Sequence, residues 1–595
     1  MLPPVLHGGP LTISNPTRDS EAEFTMIGHR FENAKDFKDA LCDLAVKRNF
    51  NFRFIKNDKD RVTVTCADED CQWRVHASRD GNLHTFRIKT SQHKHTYGGG
   101  INTPFHPRAS KKWVSRKVVM KLHDRSLYRA VDIQRDILRD HGVRLPYKQA
   151  WMGKELAKGI LHGSDIASYD LLVWYAAKVS ETNPGIVIII DTDGERFKHG
   201  FFCFRPSLDG FKRGYRPMLF LDETHLLGKY GGILLGSTAK DGNEGFFHLT
   251  FAIVDNETDD NWTWFTSTLG DAIYGDDDYT NIITFISDRS KGLVNAIAKV
   301  FPSSPHAYCL RHLHANFLKS NGQLGKSLKD ECWSLIMKIA YACTSFEYDE
   351  AVRSLLATSG QAHHWMFQKS DMSHWCNYLF RCQQWGEMYS NVAESFNAWI
   401  REARHLPVCK MVDAIRFKMM NMMYNRRNCC LKWESYLCPV IHKKIEVIVE
   451  ESRCLLIGCS YGEQFEVVDH QSNSVNLCAR TCSCRRWQVY GIPCKHACAA
   501  IMQTDKNVHP FIEPYYTVKS YKLTYKESIF LVPDHDKPLD DSRQLRIRPF
   551  ISKKRPGRPR HKWIESQAWH VREMHCSRCH SIGHNRATCN EVIAD

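Results

Sequence analysis

Apolar residues recur along the chain with two different periods, and the change of period marks its regions. Phe31 to Arg48 carries them at helical spacing and predicts an amphipathic helix, whereas Phe52 to Val75 predicts strands. Ala130, Ile133 and Ile137 form a helical stripe that stops at His141-Gly142. A second helix restarts after Pro146, with Met152, Leu156 and Ile160 on one face. Two helices so spaced suggest a helix–turn–helix-like unit, and a plain helical scaffold fits the pattern as well. From Gly185 to Asp288 short aliphatic runs predict strands: Ile186 to Ile190, Met218 to Leu221, Gly232 to Ser237, Phe246 to Val254 and Ile282 to Ile286. Helical sequence containing Cys and Trp follows from Lys291 to Lys418, and Lys537 to Arg560 reads as a linker.

Composition narrows the class. The 595 residues are 43% hydrophobic and 11% aromatic, values of folded domains, and the length suits about four of them. Lys and Arg number 81 against 66 Asp and Glu, a net charge of +15 that favours a polyanionic partner. The charge concentrates between Lys111 and Lys154, where twelve Lys and Arg face four Asp. The longest aliphatic run is far too short to span a bilayer, and Met1 to Pro16 has no secretion signal, so no membrane role is expected.

Twenty-three cysteines in a chain without secretion signals point to metal binding before disulfides. Three groups have ligand spacing. Cys66 and Cys71 are followed by His93 and His95, two chelating pairs that can close a tetrahedron around Zn²⁺. Cys482, Cys484, Cys494 and His496 fall within fifteen residues and have the spacing of a SWIM zinc finger. Cys576, Cys579, His584 and Cys589 have the spacing of a zinc knuckle, a module that grips single-stranded nucleic acid or protein. Three structural Zn²⁺ ions are therefore expected. Between the last two groups, Lys553 to Arg560 is basic and Pro-rich. Arg555, Arg558 and Arg560 around Gly557 resemble an AT-hook that enters a narrow minor groove, and a nuclear localisation signal fits the same residues.

Three carboxylates stand where catalysis can use them. Asp222 ends the strand Met218 to Leu221, Asp288 follows Ile282 to Ile286, and Glu394 starts a helix on a face shared with Asn397 and Arg401. Such a set can hold two Mg²⁺ or Mn²⁺ ions roughly 3.5–4 Å apart. Each also has a bland explanation: a strand end, a turn before a helix, and a capping box from Asn391 to Glu394.

The surrounding sequence decides between these readings. The stretches from Leu221 to Leu269, from Ile286 to Phe317 and from Asn391 to Ile400 are closely similar to the MULE transposase domain of the Mutator superfamily. The Cys/His groups follow in the family's order, so the chain resembles a Mutator-like transposase from about Phe31 to Cys589, or a domesticated relative of the MUSTANG kind. The resemblance implies an α/β RNase H-like catalytic core, a mixed sheet flanked by helices, with a helical insertion at about 291–384 and small zinc-binding modules. It implies an Asp–Asp–Glu centre at Asp222, Asp288 and Glu394, and places the family's Cys-x2-His motif on Cys309 and His312. These two would tie the insertion to the active site or orient DNA, or serve only as buried structural residues. Lys291, at the start of the next helix, is a candidate DNA contact.

The expected layout is a tail at 1–25, a zinc-binding DNA module at 26–100 and a basic helical region at 101–165. A β connector at 166–215, the transposase domain at 216–430 and the SWIM region at 431–508 follow, then a linker at 509–570 and the knuckle at 571–595. Expected partners are double-stranded DNA, as inverted repeats or promoter sites, and further copies of the chain; the expected location is the nucleus. Two departures stand out. Glu223 replaces the small residue usual beside the first Asp, and the first zinc group ends His-x-His.

Overall fold

A computed structural model describes residues 27–81, 84–92, 94–96, 105–275, 278–538 and 547–551. It is a mixed α/β structure with three sheets. The first contains strands β1 (Arg30–Phe31), β2 (Phe52–Asn57), β3 (Arg61–Cys66), β4 (Arg74–Arg79) and β5 (Phe86–Gln92) in the antiparallel order β1-β5-β4-β3-β2. Helix α1 (Ala34–Lys47) packs on it. Asn33 caps α1 by accepting from the amides of Lys35 and Asp36, and Phe37 and Leu41 are buried with Trp73 and Val75.

Helices α2 (Lys111–Asp124), α3 (Ala130–His141) and α4 (Tyr147–His162) form the next layer, tied to α1 by the Trp113 indole, which donates to Asp43 at 2.7 Å. The α3 stripe of Ala130, Ile133 and Ile137 is buried as predicted. On α4 the expected apolar face is not the buried one. Ala150, Gly153 and Ala157 turn inward, while Leu156 is 39% and Ile160 65% exposed. The reason is close approach to α2: a Cβ on Gly153 would lie 2.5 Å from Val114 Cγ1, so only small residues fit the seam. The basic charge here is partly offset locally. Lys121 and Arg139 each pair with Asp136 and Asp140, and Arg129 pairs with Asp132.

The central sheet has seven strands, β6 (Val187–Asp193), β7 (Arg196–Cys203), β8 (Met218–His225), β9 (Ile233–Lys240), β10 (Phe246–Val254), β11 (Thr284–Ser287) and β12 (His306–Tyr308), in the order β12-β11-β8-β9-β10-β7-β6. Pairing is antiparallel from β8 through β6 and parallel among β8, β11 and β12. Helices α5 (Ala167–Thr182), α6 (Arg205–Gly214), α7 (Asp259–Tyr274) and α8 (Lys291–Val300) accompany it. The sheet thus reaches back to Val187, across the boundary expected at 215/216, and α5 and α6 make that stretch half helical.

Helices α9 (Leu310–Ser320), α10 (Lys326–Tyr341), α11 (Ser345–Thr358) and α12 (Gly360–Lys369) have their own core around Leu313, Phe317, Ile336 and Trp375. The inserted helices therefore begin at α9, because β12 still belongs to the central sheet. Helices α13 (Asn391–Trp399) and α14 (Val408–Cys430) return to that sheet. After α15 (Pro439–Ser452), strands β13 (Leu456–Cys459), β14 (Gln464–Val468), β15 (Ser472–Asn476) and β16 (Thr481–Cys482) form a small antiparallel sheet completed by α16 (Arg486–Tyr490) and α17 (Lys495–Gln503).

The described part of the stretch expected as a linker, residues 509–538 and 547–551, is laid on the core. In α18 (Val518–Thr524) and just beyond, Tyr521 and Tyr525 are buried, and the Tyr525 hydroxyl donates to Asp241 at 2.8 Å. Phe550 meets Tyr169 edge-on. Among the described residues no helix is long and apolar enough to cross a membrane.

The α2–α4 seam yields a direct test. Gly153→Leu is expected to destabilise the helical layer by about 1–3 kcal/mol through overpacking, read as a lowered midpoint in chemical denaturation. An unchanged midpoint would mean that the seam can open without cost.

Candidate active site and zinc centres

The β8 strand buries Met218 to Leu221 completely but does not end there as expected: it continues through part-exposed Asp222, paired with Gly236, to His225, because β9 extends the ladder alongside it. Parallel pairing sets Thr284 beside Met218, Phe285 beside Leu219 and Ile286 beside Phe220, so two further steps of the same register bring Asp288 alongside Asp222. Helix α13 packs over β8, β9 and β10, with the Phe396 ring stacked on His248 at 3.4 Å. On its other face Asn397 Nδ2 donates to Asp222 Oδ2 at 2.9 Å. Glu394, one turn earlier, forms an ion pair with Arg311 of α9. Ser390 is the N-cap of α13, so the capping box considered for Asn391 and Glu394 is not the arrangement found.

Cys309 joins these elements. Its backbone NH donates to the Ser287 carbonyl at 2.8 Å, and its Sγ accepts from the NH and hydroxyl of Ser390, both at 3.2 Å. One buried thiol thereby links the end of the Asp288 strand to the start of the Glu394 helix. Burial opposes ionisation of Cys309, but hydrogen bonds from His312 and Ser390 outweigh it and bring the thiol down to about 7. The Cys309 hydrogen bond is the main cause that raises His312, with Asp288 and Asp222 acting in the same sense.

The carboxylates are electrostatically crowded. Burial pushes Asp222 up to about 6, with Asp288 adding to it and the Glu223 amide, His312 and Asn397 opposing. Burial also raises Asp288, and Glu257 contributes. Glu223 goes up to about 8, first through burial and then through Asp222, Glu257 and Asp288; its Oε2 is buried without a hydrogen-bond partner. Glu257, Arg311, Ser390 and Asn397 were not singled out as working residues from sequence. Only Asn397 left a signal, as a member of the Glu394 face.

Asp222 and Asp288 fit a divalent cation: both are only part-exposed, Asp288 disfavours ionisation of Asp222, and a cation would offset both charges. Glu394 fits only once Arg311 has let it go. Among the described residues the close groups of three or more ligand side chains, with donor atoms within 4.8 Å, are two Cys/His clusters, and the three acids are not among them. Lys291 is exposed in the first turn of α8. Trp262 is fully buried and Trp264 stacks on His199, so both pack the core.

The first Cys/His cluster is Cys66, Cys71 and His95. Cys71 Sγ lies 3.3 Å from His95 Nδ1, and the His95 ring lies flat on Trp73. Its Nε2 is buried without a partner, and burial, with Arg48, shifts the imidazole toward its neutral form, the one that binds metal. His93 lies outside the described residues.

The second cluster brings Cys482, Cys484, Cys494 and His496 together, all buried. Cys484 and Cys494 sulfurs are 3.5 Å apart, and His496 Nδ1 is 3.7 Å from Cys482 Sγ. The turn that makes this possible uses left-handed Arg485 (φ 56°) and Gly491 (φ 69°) on either side of α16. His496 Nε2 faces Asp469 at 3.8 Å, an orienting carboxylate of the kind that fixes a metal-bound imidazole. The neighbouring thiols hold Cys484 low and push Cys482 up. Thiolates and imidazole at these separations suit zinc. Cys576, Cys579, His584, Cys589, Arg555, Arg558 and Arg560 lie outside the described residues.

Cys494→Ala in the full chain is expected to release one equivalent of zinc and unfold the region around β13–β16 and α17, since a structural site contributes on the order of 10 kcal/mol. Zinc content by elemental analysis checks it, and an unchanged content would rule the cluster out as a zinc site.

Residues 23–88 match a family described as MuDR family transposase, residues 218–316 match the MULE transposase domain, and residues 467–505 match the SWIM zinc finger. No curated protein matches the chain. The MULE match includes Asp222, Asp288, Cys309 and His312, and the SWIM match includes the whole second cluster. A MuDR-type DNA-binding region, a MULE transposase domain and a SWIM zinc finger in this order are consistent with the Mutator-like transposase family.

Proposed function

We propose that the chain is a DNA transposase of the Mutator-like type, with an RNase H-like core that cleaves and transfers strands through Asp222, Asp288 and Glu394. The observation that carries this reading is the parallel β8–β11 pair, with Asp222 within β8 and Asp288 just beyond β11 in the same register, joined to the Glu394 helix by the Asn397–Asp222 hydrogen bond. The mixed sheet, with α7, α8 and α13 packed around it, supports the core assignment. Two divalent ions held by the three acids would supply an activated water or 3′-hydroxyl and stabilise the leaving oxygen.

The remaining steps belong to the chain. Asn397 fixes the rotamer of Asp222, and Cys309 sets α13 against β11. Arg311, more than half exposed, holds Glu394 until a DNA phosphate competes for the guanidinium. The N-terminal zinc module, the basic helices α2–α4, Lys291 and the segment around Arg555 to Arg560 bind double-stranded DNA, with three zinc ions in the whole chain. The protein works in the nucleus and pairs element ends as an oligomer.

A second reading, a DNA-bound transcriptional regulator without catalysis, is favoured by one specific observation: Glu394 is occupied by Arg311 while Glu223 crowds Asp222. The two readings part in a cleavage assay on the DNA ends flanking the coding region, with Mg²⁺ or Mn²⁺. For a transposase, Asp222→Asn and Asp288→Asn are each expected to lower strand cleavage at least about a hundredfold while DNA binding persists. If wild type and both variants are equally inert but bind the ends, the regulator reading replaces the first.

The Arg311 pairing generates its own expectation. Arg311→Ala should lower the Mn²⁺ concentration that half-saturates the DNA-free protein by several-fold, read from the electron paramagnetic resonance of free Mn²⁺. Unaltered Mn²⁺ binding would show that the ion pair does not restrain Glu394.

A further inference from the structure

A groove of about 570 Å³ runs along the edge strand β12, between α8 and residues 373–381. Its size is within the range of small-ligand sites. One wall is apolar, from Ile297, Phe301 and Phe380. Another is a flat aromatic stack, with the His374 ring on Tyr308 at 4.3 Å and 18° between their planes. The stack is fixed from both sides. His374 Nδ1–H donates to the His306 carbonyl at 2.6 Å, and Asp371 lies 3.7 Å from His374 Nε2.

The groove is connected to the Asp288 strand through the sheet. Tyr308 is the register partner of Ser287, the residue before Asp288. Ser287 Oγ donates to the Asp288 carbonyl at 2.7 Å and lies 2.7 Å from His306 Nε2, so the platform and the Asp288 turn share one hydrogen-bonded chain. The Arg289 guanidinium sits 5.8 Å from the centre of the Tyr308 ring, and exposed Arg381 lines the other end.

The geometry points to a nucleobase site: the groove takes an unstacked base from a DNA end, stacked on the His374–Tyr308 platform, with Arg289 and Arg381 on the flanking phosphates. This rests on the reading of the chain as a DNA-cutting protein. A flat, half-exposed aromatic pair between two guanidinium groups complements a base with a phosphate on either side. Every base offers a π-face, so no sequence need be read here.

The test uses the full zinc-loaded chain without added Mg²⁺ and two probes: a blunt duplex, and the same duplex with an unpaired 2-aminopurine nucleotide at one end. Wild type is expected to bind the tailed duplex more tightly and to quench its fluorescence. His374→Ala and Tyr308→Ala should restore the fluorescence and weaken tailed-duplex binding about tenfold. Blunt-duplex binding should stay the same, and Tyr308→Phe should behave as wild type. Should Tyr308→Ala fail to fold, His374→Ala and Arg381→Ala, both at solvent-facing positions, carry the comparison. Equal loss on both duplexes, or no loss on either, overturns the nucleobase site and leaves the transposase reading standing. Failure to bind either duplex overturns both.

Discussion

Two carboxylates set side by side on neighbouring strands cannot both ionise cheaply once the strands beneath them are fully buried. Met218 to Leu221 and Thr284 to Ser287 are sealed in the sheet, so Asp222 and Asp288 emerge side by side from a low-dielectric floor. Their raised pKa values are the direct result, and Glu223 and Glu257 add more negative charge nearby. Much around the centre acts to contain this repulsion. Asn397 and the Ser290 amide donate to the two acids, and His312 is drawn toward its charged form.

Cys309 is where that containment becomes architecture. It meets β11 through its backbone and α13 through its sulfur, while α9, which starts at the next residue, brings Arg311 and His312 to the acids. A change at this one position would therefore act on Asp288, Glu394 and His312 together. The inserted helices α9–α12 have a separate core, so α9 can carry Arg311 and His312 to the acids without being part of the sheet.

The zinc clusters solve a different problem. The β13–β16 sheet is small, its strands have two to five residues, and such a sheet alone buries little. Four buried ligands at one corner supply what the apolar surface does not. The α2–α4 layer manages by the opposite means, close contact through Ala150, Gly153 and Ala157.

Ligand spacing and the acids that follow apolar runs were legible because they are local. Cys482 to His496 spans one turn of chain, and Asp222 directly follows an apolar run that can only be a buried strand. The buried faces of α1 and α3 were legible for the same reason, since 3.6-residue periodicity needs no partner. The α4 face was misread because large apolar residues normally mark the core, and here the distance to α2 admits only small ones. Likewise, residues 509–538 read as a linker, yet Tyr521 and Tyr525 are buried and the Tyr525 hydroxyl meets Asp241 and Arg426 from far along the chain. Which groups answer the acids also lay beyond sequence: Arg311 is 83 residues from Glu394, and Asn397 is 175 from Asp222. Short-range spacing in the sequence marked the candidate ligands and acids and most strands of the central sheet, but not β7 or β12. The tertiary structure alone decided which charges meet, because Coulomb interaction and hydrogen bonding depend on distance in space and are blind to distance along the chain.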